Sequence, residues 1–252
     1  MRKMIISLAI ACVCLTIWPA FAEDVIPIPI SAEEAFYAVQ TQTDPVSGES
    51  ASVALIDVRS RAEYFWVGAA SQVDNIITKR GATIIPDYGK VVLSRDGRFL
   101  HFVLKGRSKK LLVKKVESVS LSPIAINIPF KVWNENTAGL SLNPDFTNEL
   151  LELKGGRFGN FDTLIFFCRS GGRSQDCLVN LPDEVNLFEA YYEIDQPDGK
   201  SGRGGFEGTS YSNVYNGYRG FPERLTEFQD HPSVSWKDAG LPIQTSLSPF
   251  FP

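Results

Sequence analysis

The sequence predicts an α/β fold: a mostly parallel central sheet flanked by helices, with an inserted antiparallel β meander. Three observations carry that reading. Two runs, SVALIDV (52–58) and DTLIFFC (162–168), are continuously apolar and rich in β-branched or aromatic residues, the pattern of strands covered on both faces. A polar stretch with helical character follows each run, which is strand–helix alternation. Between them, residues 67–122 break into short apolar runs separated by Asp96-Gly97 and Gly106-Arg107, and Asp-Gly between two such runs marks a hairpin.

The elements follow in chain order. Arg2 and Lys3 precede an apolar run from Met4 to Trp18, then Pro19 and Ala20-Phe21-Ala22. A basic start, a short apolar stretch and an A-x-A site read as a secretory signal peptide over residues 1–22, cleaved after Ala22. The run is short for a membrane span, which needs about 20 apolar residues. Residues 23–252 are expected to form one domain. Ser31 with Glu34 three residues on is a capping box that opens a short helix from Ala32 to Gln40. TQTDPVSGES (41–50) is loop, SVALIDV a buried strand, and SRAEYF (60–65) a short helical turn. The meander occupies 67–122. PIAINIPF (123–130) is another strand. LNPDFTNELLEL (142–153) is a helix with Asn143 or Asp145 near its start. DTLIFFC is the second buried strand, GRSQDCLVNL (172–181) a short helix ended by Pro182, and EVNLFEAYYEI (184–194) a further strand. Residues 195–252 form a Gly/Tyr-rich insertion and C-terminal stretch, whose Phe206, Tyr211, Tyr215, Tyr218, Phe221 and Trp236 read as an ordered wrap.

Composition narrows the function. The 252 residues are 44% hydrophobic and 21% charged, enough apolar material for a sizeable core. The net charge of −4 becomes −6 without Arg2 and Lys3, which disfavours a nucleic-acid partner. After signal cleavage no segment is long and apolar enough to span a bilayer, so no membrane association is expected. Signal cleavage leaves Cys168 and Cys177 as the cysteines, so disulfides are not the scaffold. The two histidines, His101 and His231, do not support an imidazole-based metal site, and no glycine pattern of a nucleotide site follows a strand. No metal or cofactor is expected. Lys105, Arg107, Lys109, Lys110, Lys114 and Lys115 make the meander basic. That is a solvated face whose charges protect a sheet edge, or alternatively a docking patch for a protein partner.

The chemistry gathers at CRSGGRS, Cys168 to Ser174. In α/β sheets ligands bind beyond the carboxyl ends of the strands, and DTLIFFC delivers Cys168 to that edge. Gly171 and Gly172 allow successive N–H groups to converge on one point, the helix start adds its positive end, and Arg169 and Arg173 add full charges. These effects favour thiolate over thiol and hold an anion against the sulfur. Cys177, on the helix, reads as core.

CRSGGRS resembles the active-site loop of the rhodanese sulfurtransferase family. LIDVRSRAEY (55–64) looks like the family's first strand and Asp-Val-Arg segment, AINIPF (125–130) like a following strand, and GGFEG (204–208) and WKDAGLP (236–242) like its closing features. The family's Gly-His-Ile turn is missing, residues 67–122 stand in its place, and a second insertion separates GGFEG from WKDAGLP. The resemblance implies a rhodanese-like fold and a sulfurtransferase, and the signal-peptide pattern implies that it is exported, periplasmic or secreted. Cys168 becomes a persulfide. The backbone N–H groups of Arg169, Ser170, Gly171, Gly172, Arg173 and Ser174 cradle the sulfur. Arg169 and Arg173 hold the anionic end of a donor such as thiosulfate. Asp57, Arg59 and Glu63 form a supporting network or structural ion pairs. The partners are a small sulfur-containing anion and a thiol or cyanide acceptor. The alternatives are a non-catalytic persulfide carrier or sensor that docks on a partner, and a cysteine phosphatase or arsenate reductase. The last two use a Cys-x5-Arg loop, whereas Arg173 is the fifth residue after Cys168.

Overall fold

The computed structural model describes residues 28–94, 96–169, 172–181, 188–194, 206, 236, 239 and 241–244. Strand β1 (Ile28–Ile30) leads into helix α1 (Ala32–Thr41), followed by β2 (Val53–Asp57) and α2 (Arg61–Val67). Next come β3 (Ala69–Thr78), β4 (Thr83–Ile84), β5 (Val91–Leu93), β6 (Phe99–Leu104), β7 (Arg107–Leu112) and β8 (Val116–Pro123). The chain continues through β9 (Ala125–Asn127), the hairpin β10 (Lys131–Asn134) and β11 (Gly139–Leu142), and α3 (Phe146–Leu151). It then forms β12 (Lys154–Gly156), β13 (Gly159–Asn160), β14 (Thr163–Phe167), α4 (Gly172–Val179), β15 (Ala190–Ile194) and β16 (Ile243–Gln244).

The central sheet has the order β1-β15-β14-β2-β9, and every pairing in it is parallel. Its middle strands are buried at every position, and the two faces divide strictly by residue parity. Val53, Leu55, Ile165 and Phe167 pack on one side with Phe36 of α1, Phe206, Trp236 and Leu241. Ala54, Ile56, Leu164, Phe166 and Cys168 pack on the other with Phe146 and Leu150 of α3 and Cys177 of α4. Two covered faces are the physical reason these strands read as unbroken apolar runs. Cutting Phe166 or Phe167 back to alanine is expected to cost about 3–5 kcal/mol.

The inserted region is antiparallel but is more than a meander. β3 runs beside β8 from Ser71↔Pro123 to Thr78↔Val116, so the insertion leaves and returns along one ribbon. β5-β6-β7 form a separate three-stranded sheet. Val73 and Ile76 of the ribbon pack on Val91 and Phe102 of that sheet, giving the insertion its own small core. The β6–β7 turn puts Lys105 at φ 52° and Gly106 at φ 68°. Asp87 secures it by accepting from Lys105 N at 3.0 Å and Gly106 N at 2.7 Å. The insertion starts at Ala69, because residues 61–67 are helical.

Other expectations shift at their ends. The strand expected over 123–130 is Ala125–Asn127; Ile128 N then donates to Asp57 O and Phe130 N to Val58 O, which bends the chain across the sheet edge. The strand expected from 184 spans Ala190–Ile194. β1 and the β10–β11 and β12–β13 pairs were not anticipated. Residues 1–22, expected to be a signal peptide, and most of 195–252 lie outside the described residues. The described parts of the C-terminal stretch are anchored. Trp236 is fully buried and its Nε1 donates to Pro242 O at 2.9 Å, and β16 pairs with β3. Gly68 has φ 107°, and a side chain there would meet Ile243 Cγ2 at 2.7 Å, so glycine lets β16 lie against the end of α2. Among the described residues no helix is long and apolar enough to cross a membrane.

Candidate functional site

Cys168 follows the last residue of β14, at the carboxyl edge of the central sheet, and is only 1% exposed. Gly172 opens α4, so Gly172, Arg173 and Ser174 of the expected loop form the start of that helix. Ser170 and Gly171 lie outside the described residues, and so does part of the expected N–H cradle. Arg169 is half-buried. The backbone carbonyl of Cys168 accepts from Phe206 N at 2.9 Å, tying the site to the C-terminal stretch.

The ionic groups expected as a supporting network or as structural ion pairs separate into two pairs. Asp57 and Arg59 are both fully buried at the end of β2. Arg59 Nη2 donates to Asp57 Oδ2 at 2.6 Å and to Gly68 O at 2.7 Å, and Arg59 Nε donates to Asp57 Oδ1 at 2.9 Å. The guanidinium lies over the Phe206 ring at 3.9 Å. Asn127 Nδ2 donates to the carbonyls of Asp57 and Arg59 and locks the neighbouring strand end. This pair clamps two strand ends, the end of α2 and the C-terminal stretch together.

Glu63 turns the other way. Ser60 and Glu63 form a capping box at the start of α2, and the same carboxylate takes a bidentate pair from Arg173 of α4, both bonds 2.6 Å. Burial alone would raise the Glu63 carboxyl, but hydrogen bonds and charge from Arg173, with bonds from Ser60, hold it down at about 2. Burial opposes the charge on Arg173, whereas the Glu63 hydrogen bonds and the fields of Cys168, Glu63 and Asp57 push its pKa up. Arg173 is therefore a fixed cation, held in place by Glu63 beside the cysteine.

On the inner side, Ser174 is fully buried and its Oγ lies 3.7 Å from Cys168 Sγ. The same Oγ is 2.5 Å from Oε1 of Glu193, a β15 carboxylate that is 3% exposed. Cys177 is buried in the same cluster, and burial, followed by the fields of Cys168, Glu193 and Asp176, pushes its thiol well up. Sequence reasoning missed Glu193, Asn127 and Phe206 as neighbours of the site. A trace of Glu193 was visible as an isolated acid inside the apolar run of AYYEI. Among the described residues no cluster of three or more His, Cys, Asp or Glu side chains is placed to hold a metal ion.

Comparison with known proteins gives partial relatives. No family model matches the chain. A stretch of 57 residues is 46% identical to a protein named thiosulfate sulfurtransferase 16, chloroplastic, from Arabidopsis thaliana. That match covers 23% of this chain and 42% of the relative's length. The solved structure of Rv0390 from M. tuberculosis aligns over 86% of this chain and 97% of its own, at 20% identity and a TM-score of 0.39.

Proposed function

We propose that the protein is a rhodanese-like sulfurtransferase that moves a sulfane sulfur through a persulfide on Cys168. The observation that carries this reading is Cys168 at the carboxyl edge of a parallel sheet, directly before α4 and beside the Glu63-held guanidinium of Arg173. The partial identity to a thiosulfate sulfurtransferase supports it. In the first half-reaction the Cys168 thiolate attacks the outer sulfur of thiosulfate. A new S–S bond forms, the bond to the sulfonate sulfur breaks, and sulfite leaves with the electron pair. In the second, cyanide or a thiolate takes the outer sulfur and Cys168 leaves as thiolate. Charge and atoms balance in both steps without a metal or cofactor. Arg169 and Arg173 attract the dianionic donor, and the backbone from Arg169 to Ser174 cradles the transferred sulfur.

The apolar run at 4–18 supports export by a signal peptide, with a periplasmic or secreted destination. The exposed Arg107–Lys110 stretch of β7 is the surface that would meet a protein partner.

The test is intact mass after incubation with thiosulfate, with Cys168→Ser as control. A gain of one sulfur on Cys168, removed by cyanide or a thiol, is expected. Sulfur loading without release to small acceptors would favour a persulfide carrier. No loading together with turnover of an aryl phosphate would replace this reading with a phosphatase.

A further inference from the structure

Residues 98–115 hold seven Lys or Arg side chains and no Asp or Glu, in a chain whose net charge is −4. Among the described residues none of these seven cations forms an ion pair. Two acids border the group, and both are engaged by other donors. Asp87 takes the N–H groups of Lys105 and Gly106. Asp96 lies in the field of Lys110 but accepts from Ser94 Oγ at 2.5 Å and from Arg98 N at 3.1 Å. Like charges gathered without counter-charge repel one another, and an anionic partner relieves that repulsion.

The charges are arranged about a strand edge. β7 lies at the end of the β5-β6-β7 sheet and pairs with β6 alone, so among the described residues its outer edge has no strand partner. Arg107 to Lys110 are exposed along it. The register sends their side chains to both sides of the sheet. Arg107 and Lys109 stand opposite Leu104 and Phe102, on the side that faces the small core of the insertion. Lys110 stands opposite the exposed His101, on the other side, with its Nζ over the Phe99 ring at 3.7 Å. The turn at one end of the edge is fixed by Asp87.

We propose that β7 receives an extended, acidic segment of a partner protein, which adds to its free edge as a fourth strand. This deepens the reading of β7 as a partner surface by naming the partner's chemistry, and it is independent of the chemistry at Cys168. The main-chain groups of β7 supply the hydrogen bonds, and the cations select what pairs with them. An extended chain presents successive side chains to opposite sides, so neighbouring acids on it meet Lys109 on one side and Lys110 on the other. A lipid surface or a nucleic-acid duplex approaches from one side and leaves half of these charges unmet. A second copy of β7 would set cation against cation, so the charges that admit an acidic strand also turn away self-pairing.

The test is binding of a fluorescent peptide of Glu-Glu-Thr-Val repeats to the full chain at low ionic strength, read by anisotropy. Adjacent glutamates place one acid on each side of the strand. Binding is expected, and it should weaken about tenfold when Lys109→Ala and Lys110→Ala are combined, the scale of losing two exposed charge pairs. Both positions are exposed, so the variant keeps its fold. A peptide N-methylated at its central residues has the same charge but no strand donors, and it should bind at least tenfold more weakly. Equal binding of the plain and N-methylated peptides would overturn strand addition. A Gln-Gln-Thr-Val peptide that binds as well as the acidic one would keep β7 as a partner surface and overturn its acidic preference. No binding of either peptide would overturn both. Tighter binding to vesicles of phosphatidylglycerol or to heparin, weakened by the same two substitutions, would replace the acidic strand with a membrane or a polyanion.

Discussion

The first turns of α1 and α2 share one four-residue device, Ser-x-x-Glu, and differ in what the glutamate does beyond it. In α1, Glu34 Oε2 accepts from Ser31 N at 2.7 Å and from Ser31 Oγ at 2.8 Å, in an exposed corner. In α2, Glu63 Oε2 accepts from Ser60 N at 3.1 Å and from Ser60 Oγ at 2.8 Å, and the carboxylate also grips Arg173 from 110 residues away. One box starts a helix. The other starts a helix and fixes a cation beside Cys168. The local geometry is the same, so the difference comes from where the sheet places each helix. α1 covers a sheet face through Ala32, Ala35, Phe36 and Ala38, whereas α2 buries none of its residues and sits at the carboxyl edge.

Breaking the tertiary half of the second box is expected to have the largest effect. Arg173→Ala removes the cation and leaves Glu63 half-buried without its partner. Sulfur loading from thiosulfate should fall about 100-fold, the scale of losing one charge-stabilising donor. Stability should fall by about 2 kcal/mol, below the 3–5 kcal/mol of a fully buried pair, because the side chains are 19% and 26% exposed. Loading kinetics and urea denaturation measure both.

Glu63→Gln separates the two halves. Glutamine still closes the capping box, but the ion pair is gone. Loading should drop about tenfold and stability by about 1 kcal/mol. A variant that loads like wild type would show that the Arg173 clamp is dispensable.

The same pair predicts a pH window. The folded-state Glu63 pKa is depressed, from the ordinary 4.5 to about 2. Its contribution is therefore fully present above pH 4.5 and is lost as pH falls toward 2. The stability gap between wild type and Glu63→Gln should close over that range in denaturation curves.

The smallest effects belong to α1. Glu34→Ala should cost about 0.5–1 kcal/mol through the lost cap, and Glu34→Gln less than about 0.5 kcal/mol. Neither should alter sulfur loading. A loading defect in either variant would erase the distinction between the two helices.

Much of the frame was legible because it is written in local patterns. The buried strands announced themselves by continuous apolarity, α1 by its capping box, and the Cys168 junction by glycines and arginines after a strand. The β3–β8 ribbon was less legible. Its partners are separated by the whole three-stranded sheet, and a pairing between distant segments leaves no short-range signature. The short β1 was hidden by its proline, Pro29, and the β10–β11 hairpin by a turn without a strong glycine signal.

The site divides in the same way. The sequence by itself determined that a cysteine would stand at the end of a buried strand, before a helix and among arginines, because strand period and turn chemistry act over a few residues. Only the tertiary structure decided how the charges pair. Asp57 and Arg59 close on each other under Phe206, Glu63 reaches Arg173, and Glu193 meets Ser174 and through it Cys168. A charge buried in a low-dielectric interior takes whatever partner the packing brings within reach, and that partner is set by the order of strands in the sheet rather than by spacing along the chain.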